Sequence, residues 1–298
     1  MTAQTAPAPD ATEDKPALKP SKDEGDGASW GARLALAFVC FMFTLPTIGL
    51  LISSVRPRED IIGSGWWVFL TNFDNFSLDN YTSVLDAGMG DSFVNSLTVA
   101  IPATVIPILA AAFAAYAFAW MDFKGREFLF VLFVGLLVVP LQVALIPLTR
   151  LYNTLGIDSD FIKLWLAHTG FGMPLAVYIL RNYIGSLPRE VIESAKVDGA
   201  GHFATFWRLI MPLSVPALAA FAIFQFLWVW NDFLVALVFM TSGDEVVTVT
   251  LANLVGSRGQ DWHLLTAGAF ISMVVPLIVF FGLQRFFVRG LTAGSVKG

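Results

Sequence analysis

The sequence predicts an all-α polytopic membrane protein, with six transmembrane helices and a polar helical hairpin between the fourth and the fifth. Three observations predict it. Of the 298 residues, 56% are hydrophobic and only 14% are charged, and mean hydropathy is +0.69. That balance overrides the one or two soluble domains that length alone would suggest. Second, nearly charge-free stretches recur, each close to the about 20 residues a helix needs to cross the hydrocarbon core. Third, residues 187–213 are polar, lie between two such stretches and carry the start and stop signals of a helix pair.

In chain order, residues 1–29 are rich in Ala, Pro, Asp, Glu and Lys without apolar periodicity, and read as a disordered tail. The tail lacks the apolar centre of a signal peptide. Spans follow at about 31–55, with Trp30 as an interfacial anchor, then 92–121, 128–152, 161–184, 214–240 and 262–288. A loop of mixed polarity, Arg56 to about Asp91, separates the first two. Cys40 is the only cysteine, so no intrachain disulfide can form. Eight prolines stand inside apolar runs: Pro46, Pro102, Pro107, Pro140, Pro147, Pro174, Pro216 and Pro276. Prolines are common in membrane helices, and the kinks they make suit helices packed around a cavity.

The hairpin is legible residue by residue. Ser186 is a candidate cap and Pro188 fits a helix's first turn. Arg189 to Asp198 are good helix formers, and Gly199 and Gly201 end the helix. Phe203, Phe206, Trp207 and Ile210 then recur at i, i+3, i+4 and i+7, an apolar stripe on a second short helix. Ser194, Ala195, Gly199, Ala200 and Gly201 are small, so a foreign surface could approach this backbone.

These residues resemble the "EAA" loop of binding-protein-dependent ABC importer permeases: Glu-Ala-Ala, three residues, Gly, nine residues, Ile, any residue, Leu-Pro. Glu193, Ser194, Ala195, Gly199, Leu209, Met211 and Pro212 fall on that register, with Ser194, Leu209 and Met211 as conservative departures. Asp198-Gly199-Ala200 is similar to the carbohydrate branch. So are Phe76-Ser77-Leu78-Asp79-Asn80-Tyr81 after the first span, Trp230-Asn231-Asp232-Phe233 in the fifth, and the ending Gly290–Gly298. The resemblance covers about residues 31–298 and extends to the smaller maltose-type permease subunit. It implies a non-enzymatic subunit of the bacterial cytoplasmic membrane that moves an oligosaccharide or related polyol by alternating access. It further implies a second permease subunit, two ATPase subunits holding ATP and Mg, an extracytoplasmic sugar-binding protein, and no nucleic acid. Glu193, Ser194, Ala195, Asp198, Gly199, Ala200, Gly201 and Pro212 would be the ATPase-coupling residues.

Topology can be checked against charge. With the N-terminus inside, only Arg56, Arg58, Arg150, Lys163 and Arg258 of the 18 Lys and Arg residues fall outside. The positive-inside rule therefore places both termini and the hairpin in the cytoplasm.

Candidate passage residues are few. A carboxylate at membrane depth is costly and usually faces protein or water, which singles out Asp232. Trp228, Asn231 and Asp232 together offer an aromatic face, an amide and a carboxylate, the materials of sugar recognition. The alternatives are a broken helix or the outer aromatic belt. Gln142, between Pro140 and Pro147, is a further passage candidate, with an interhelical hydrogen bond as the plainer reading. Arg181 and Arg189 are expected to snorkel to headgroups or to pair with Glu193 or Asp198. There is no Gly-Lys dipeptide, hence no phosphate-binding loop and no ATP hydrolysis by this chain. No metal spacing or Gly-x-Ser-x-Gly turn occurs either. Two rivals remain: an ABC permease for a non-sugar solute, and an ion-coupled secondary carrier, for which Asp232 alone is thin support.

Overall fold

The computed structural model describes residues 29–71, 76–240, 243–255 and 261–293, without the side chains of Leu70 and of residues 285–293. Residues 1–28, most of the acidic tail, and 294–298, the end of the tail resemblance, lie outside them. The chain divides into a unit up to Ile48 and a second, Gly49–Gly298. Among the described residues every regular element is helical.

The helix α1, Trp30–Ser54, has apolar side chains exposed on all sides through its first half, as a helix in lipid needs. The region between the first two spans, expected as a loop, is largely helical. It holds α2 (Arg58–Gly63), a 3₁₀ turn Trp66–Leu70 and α3 (Asp79–Val84). The Phe76–Tyr81 phrase acts here. The buried Asn80 side chain donates to the carbonyls of Ser54 and Arg56, each at 2.9 Å, and the Ser77 amide donates to that of Val55. These are carbonyls a helix end leaves without an internal partner. Arg56, counted above as an outside charge, is 4% exposed and donates to Gly65 O, Asp60 O and Ser64 Oγ.

Beyond α3, a π-turn Leu85–Met89 with Gly88 at φ +93° leads into α4 (Gly90–Ala100) and α5 (Pro102–Trp120). Helix thus begins at Asp79, well before the expected start near 92, because Asp79, Asp86 and Asp91 lower the apolar signal without stopping the helix. The third stretch differs more. Instead of one span at 128–152, α6 (Arg126–Gly135) and a 3₁₀ turn Leu136–Val138 meet α7 (Leu141–Leu155) at 104°. Pro140 is the cause: it has no N–H and drives Val139 extended (φ −70°, ψ 117°). Next comes α8, Asp160–Gly185, which is 26 residues long but carries Lys163, His168 and Arg181.

The hairpin consists of α9 (Arg189–Val197), α10 (His202–Thr205), a π-turn Phe206–Ile210 and α11 (Met211–Leu213). A 72° bend at Ser214 then opens α12, Val215–Trp230. The fifth span does not run on to 240. It stops at Trp230 and resumes as α13, Leu234–Phe239. The last elements are α14 (Val247–Leu254) and α15 (Trp262–Ala293), the latter longer than the expected 262–288.

By length and composition, three helices among the described residues can cross a membrane, or five if each bent pair is one span. The six expected include α8, which is long enough but more polar. The core of the second unit is organised around α5, α8 and α12, which run through both large apolar clusters. Ala111, Ala112 and Ala115 of α5 and Ala176 of α8 are fully buried, and such small side chains let helices approach closely in a membrane.

Candidate functional site

The hairpin is fastened from inside and open outside. Its first helix starts after Pro188, and Ser186 is not its cap: the Ser186 hydroxyl donates back to Tyr183 O at the end of α8. Its exit is a Schellman motif. Gly199 sits at φ +81°, its amide donates to Lys196 O (3.0 Å), and the Ala200 amide reaches back to Ala195 O (2.9 Å). Gly201, expected as a second stop, is extended (φ −71°, ψ 166°) and starts α10 instead.

Three apolar side chains, Ile192, Phe206 and Ile210, pin the hairpin with at most 1% exposure. The second helix's stripe is split. The π-turn adds a residue to one turn, so Phe203 and Trp207 face outward, 73% and 40% exposed, while Phe206 and Ile210 face inward. On the outer surface stand Glu193, Ser194, Asp198, Gly199, Gly201 and Pro212, with Ala195 and Ala200 half-buried among them. Val197 protrudes at 87% exposure. No heavy atom would lie within 4 Å of a Cβ built on Gly199 or Gly201. This small-residue surface is therefore open to a partner.

Arg181 pairs with neither Glu193 nor Asp198. It donates to both carboxylate oxygens of Glu127 (2.9 and 3.0 Å) and lies 4.0 Å over the Phe130 ring. Both bonds come from one nitrogen, Nη2, and a cation over an aromatic face is a contact a guanidinium favours.

At the far end of α12 the candidate passage residues are dispersed. The tryptophans diverge, as two residues on a helix must. Trp230 is buried, donates to Ser272 O and packs on Phe226 and Phe93. Trp228 lines an apolar cavity of about 350 Å³ with Leu137, Val139, Leu148, Phe171 and Pro174, at the bend between α6 and α7. Asn231 is exposed and donates to Leu227 O, closing the last turn of α12. Gln142 is exposed on the first turn of α7 and does not line that cavity, although Leu141 and Ala144 do.

Asp232 is the structural reason the fifth span can break. Its carboxylate accepts from the amides of Val235 (3.3 Å) and Ala236 (3.0 Å), capping α13. Oδ2 stands 3.7 Å from Nε2 of His168, which is 1% exposed. Thr248 donates to the Asp232 carbonyl. An interrupted helix at membrane depth needs such substitutes for its lost backbone bonds. The His168 ring meets Trp228 edge-on at 5.3 Å, and Gln225, fully buried, donates to Ala103 O (3.1 Å) and His168 O (3.3 Å). Neither His168 nor Gln225 emerges as a site candidate from sequence. A search for polar residues inside apolar runs would have found both.

Residues 107–293 match the family described as binding-protein-dependent transport system inner membrane component. The chain belongs to this family. The permease is 61% identical to the osmoprotective compounds uptake permease protein GgtD of Synechocystis sp., over 89% of this chain and 91% of that one. It is 45% identical to the alpha-glucoside transport system permease protein AglG of Rhizobium meliloti, over 91% and 97%. Its fold is that of a chain in a bacterial ABC transporter that imports the polysaccharide alginate: TM-score 0.63 at 16% identity, over 87% of the permease and 94% of that chain. The permease is accordingly a multi-pass inner-membrane subunit of an ABC importer.

Proposed function

We propose that this permease is one of two membrane subunits of an importer for a carbohydrate or related polyol, and that two separate ATPase subunits drive it through the hairpin at residues 187–213. The observation that carries this reading is the hairpin's outer surface. Glu193 to Gly201 form a compact, exposed patch of small and charged residues, held rigid by a Schellman turn and by buried Ile192, Phe206 and Ile210. Rigid fastening is what a lever needs. The solute class is supported by relatives whose names specify osmoprotective compounds, alpha-glucosides and arabinooligosaccharides. Both termini and the hairpin lie in the cytoplasm in this reading, and a binding protein delivers solute from the other side. ATP and Mg act on the partner subunits. Closure of those subunits draws the hairpins together and turns the bundle from inward-open to outward-open.

Gly201→Trp tests the docking role. The backbone there suits any residue, and nothing within 4 Å opposes a side chain, so the permease itself should fold and insert normally. Copurification with the ATPase subunits and uptake should each fall about tenfold or more, the effect of losing about 1.4 kcal/mol of association. Wild-type copurification and uptake in this variant would overturn the docking role. For the solute, uptake by the reconstituted importer with its binding protein is measured with radiolabelled alpha-glucosides and amino acids. Uptake of the amino acid alone would overturn the carbohydrate assignment.

A further inference from the structure

The hairpin is joined in sequence to α8 and α12, yet it is also attached through side chains to α5, by a residue 86 positions before its partner in the chain. Tyr116 of α5, 4% exposed, hydrogen-bonds through its hydroxyl to Nδ1 of His202, the first residue of α10, at 3.0 Å. One turn earlier, Phe113 stacks on Phe206 with centroids 4.3 Å apart and meets Trp207 edge-on. The Tyr116 ring also packs against Phe206 at 5.6 Å. The second half of the hairpin is thus clamped to α5 by one polar and several aromatic contacts.

The other end of α5 is fastened to the broken fifth span. Its 19 residues span about 28 Å at 1.5 Å per residue. Near its start, Ala103 O accepts from Gln225, which also donates to His168 O. His168 in turn stands against Asp232, the residue that caps the resumed helix. Gln225 has no room to shift toward α8, since a Cβ on Gly172 would lie 2.6 Å from it. A movement of α5 along or across α8 must therefore be felt at Gln225, His168 and the break.

We propose that α5 is the rod that carries the hairpin's movement to the break at Asn231–Asp232, entering through Tyr116–His202 and Phe113–Phe206 and leaving through Ala103–Gln225. Tyr116 is then a positioning residue for transport. The inference rests on the docking reading above, and asks which helix takes up the motion once the ATPases have docked. Coupling between two sites shows itself when a residue touching neither partner changes it, and Tyr116 is such a residue. It is buried, so it cannot touch an ATPase, whereas His202 is exposed and its Nδ1 returns to water when the hydroxyl is removed. Tyr116→Phe should therefore cost little in folding.

The experiment uses the complete importer in liposomes with its binding protein, and reads solute taken up per ATP hydrolysed. Tyr116→Phe and His202→Ala should each lower that ratio about fivefold, the effect of one hydrogen bond of about 1 kcal/mol. The double variant should be no worse than either single one. His202→Asn, whose side-chain amide can still meet the Tyr116 hydroxyl, should restore the ratio. Copurification with the ATPases should stay at wild type in Tyr116→Phe. An unchanged ratio, additive losses, or loss of copurification in Tyr116→Phe would overturn the proposal. Failure of docking itself is read separately: if Gly201→Trp still copurifies and transports, the underlying reading fails whatever Tyr116→Phe does.

Discussion

The hairpin and the break in the fifth span stand at opposite ends of α12, and they are held in opposite ways. The hairpin's shape comes mostly from neighbours in sequence. A Schellman turn closes α9, a glycine opens α10, and Ile192, Phe206 and Ile210 anchor the pair in the core. The break at Asn231–Phe233 comes from partners far away in the chain. His168 faces Asp232, Thr248 takes its carbonyl bond, and Gln225 bridges α5 and α8 beneath it. Local construction leaves a surface free for a partner. Distributed construction ties several helices to one point. Damage at the break should accordingly appear first as lost stability, and damage at the hairpin as lost transport at nearly unchanged stability.

The largest effect should come from Gly172→Leu. A Cβ alone would stand 2.6 to 2.9 Å from three atoms of the Gln225 side chain, which is fully buried and bonded on two sides. Overpacking a tight core costs about 1–3 kcal/mol even for small insertions, and Leu adds three more carbons. The expected outcome is failure to recover assembled importer, read by size-exclusion chromatography in detergent. Gly172→Ala should assemble with a lower melting temperature. A Gly172→Leu variant that assembles and melts like wild type would show the break is less tightly held than the comparison requires.

Asp232→Ala comes next. It removes the acceptor for the Val235 and Ala236 amides and the group facing His168. Loss of such a cap costs about 0.5–2 kcal/mol, and a lowered melting temperature should reveal it. Asp232→Asn keeps one acceptor oxygen and should lie between Ala and wild type. If Asp232→Ala melts normally but solute no longer stimulates transport, the carboxylate contacts solute, and the break is a binding element more than a structural one.

The same contrast explains what could be read from sequence. Helix start and stop signals act within a few residues, so α9, its end at Gly199 and the EAA register could be read directly from 187–213. Pro140 could have announced the 104° bend, because a proline without an N–H, following a residue forced to be extended, forbids a straight helix. The expectation of one span there followed hydropathy, which is blind to direction. Nothing local places Arg181 on Glu127, Tyr116 on His202 or Asn80 on Ser54 and Arg56. Those pairs depend on which helices pack together. The split stripe of the second hairpin helix failed for a subtler reason: the spacing i, i+3, i+4, i+7 assumes 3.6 residues per turn, and a π-turn does not keep it.

Asn80→Ala strikes the fold outside both regions. It should destabilise by about 1–3 kcal/mol, the cost of leaving buried carbonyls without partners, because both of its bonds are 2.9 Å long and reach carbonyls at the end of α1. Asn80 lies in neither the hairpin nor the break, so uptake per assembled importer should stay unchanged. Reduced uptake at unchanged stability would place the Phe76–Tyr81 phrase in transport itself.

The smallest and most discriminating effects lie within the hairpin, at two glycines only two residues apart. Gly199 is at φ +81°, where any side chain costs about 1–2 kcal/mol of backbone strain. Gly199→Ala should therefore lower the melting temperature slightly, although open space surrounds the new methyl. At Gly201 two terms oppose each other. Alanine narrows the unfolded chain's freedom, which stabilises by about 0.4–1 kcal/mol, and it is a poorer residue than glycine ahead of a helix, which costs a comparable amount. Gly201→Ala should accordingly melt within about 0.5 kcal/mol of wild type, as surface substitutions usually do. Thermal unfolding of the two alanine variants separates backbone strain from surface shape. If both transport like wild type while Gly201→Trp does not, the partner surface tolerates a methyl and reads only bulk. If Gly201→Ala alone reduces uptake at unchanged stability, the docked surfaces approach to backbone distance, and the small residues from Ser194 to Gly201 are there to permit it.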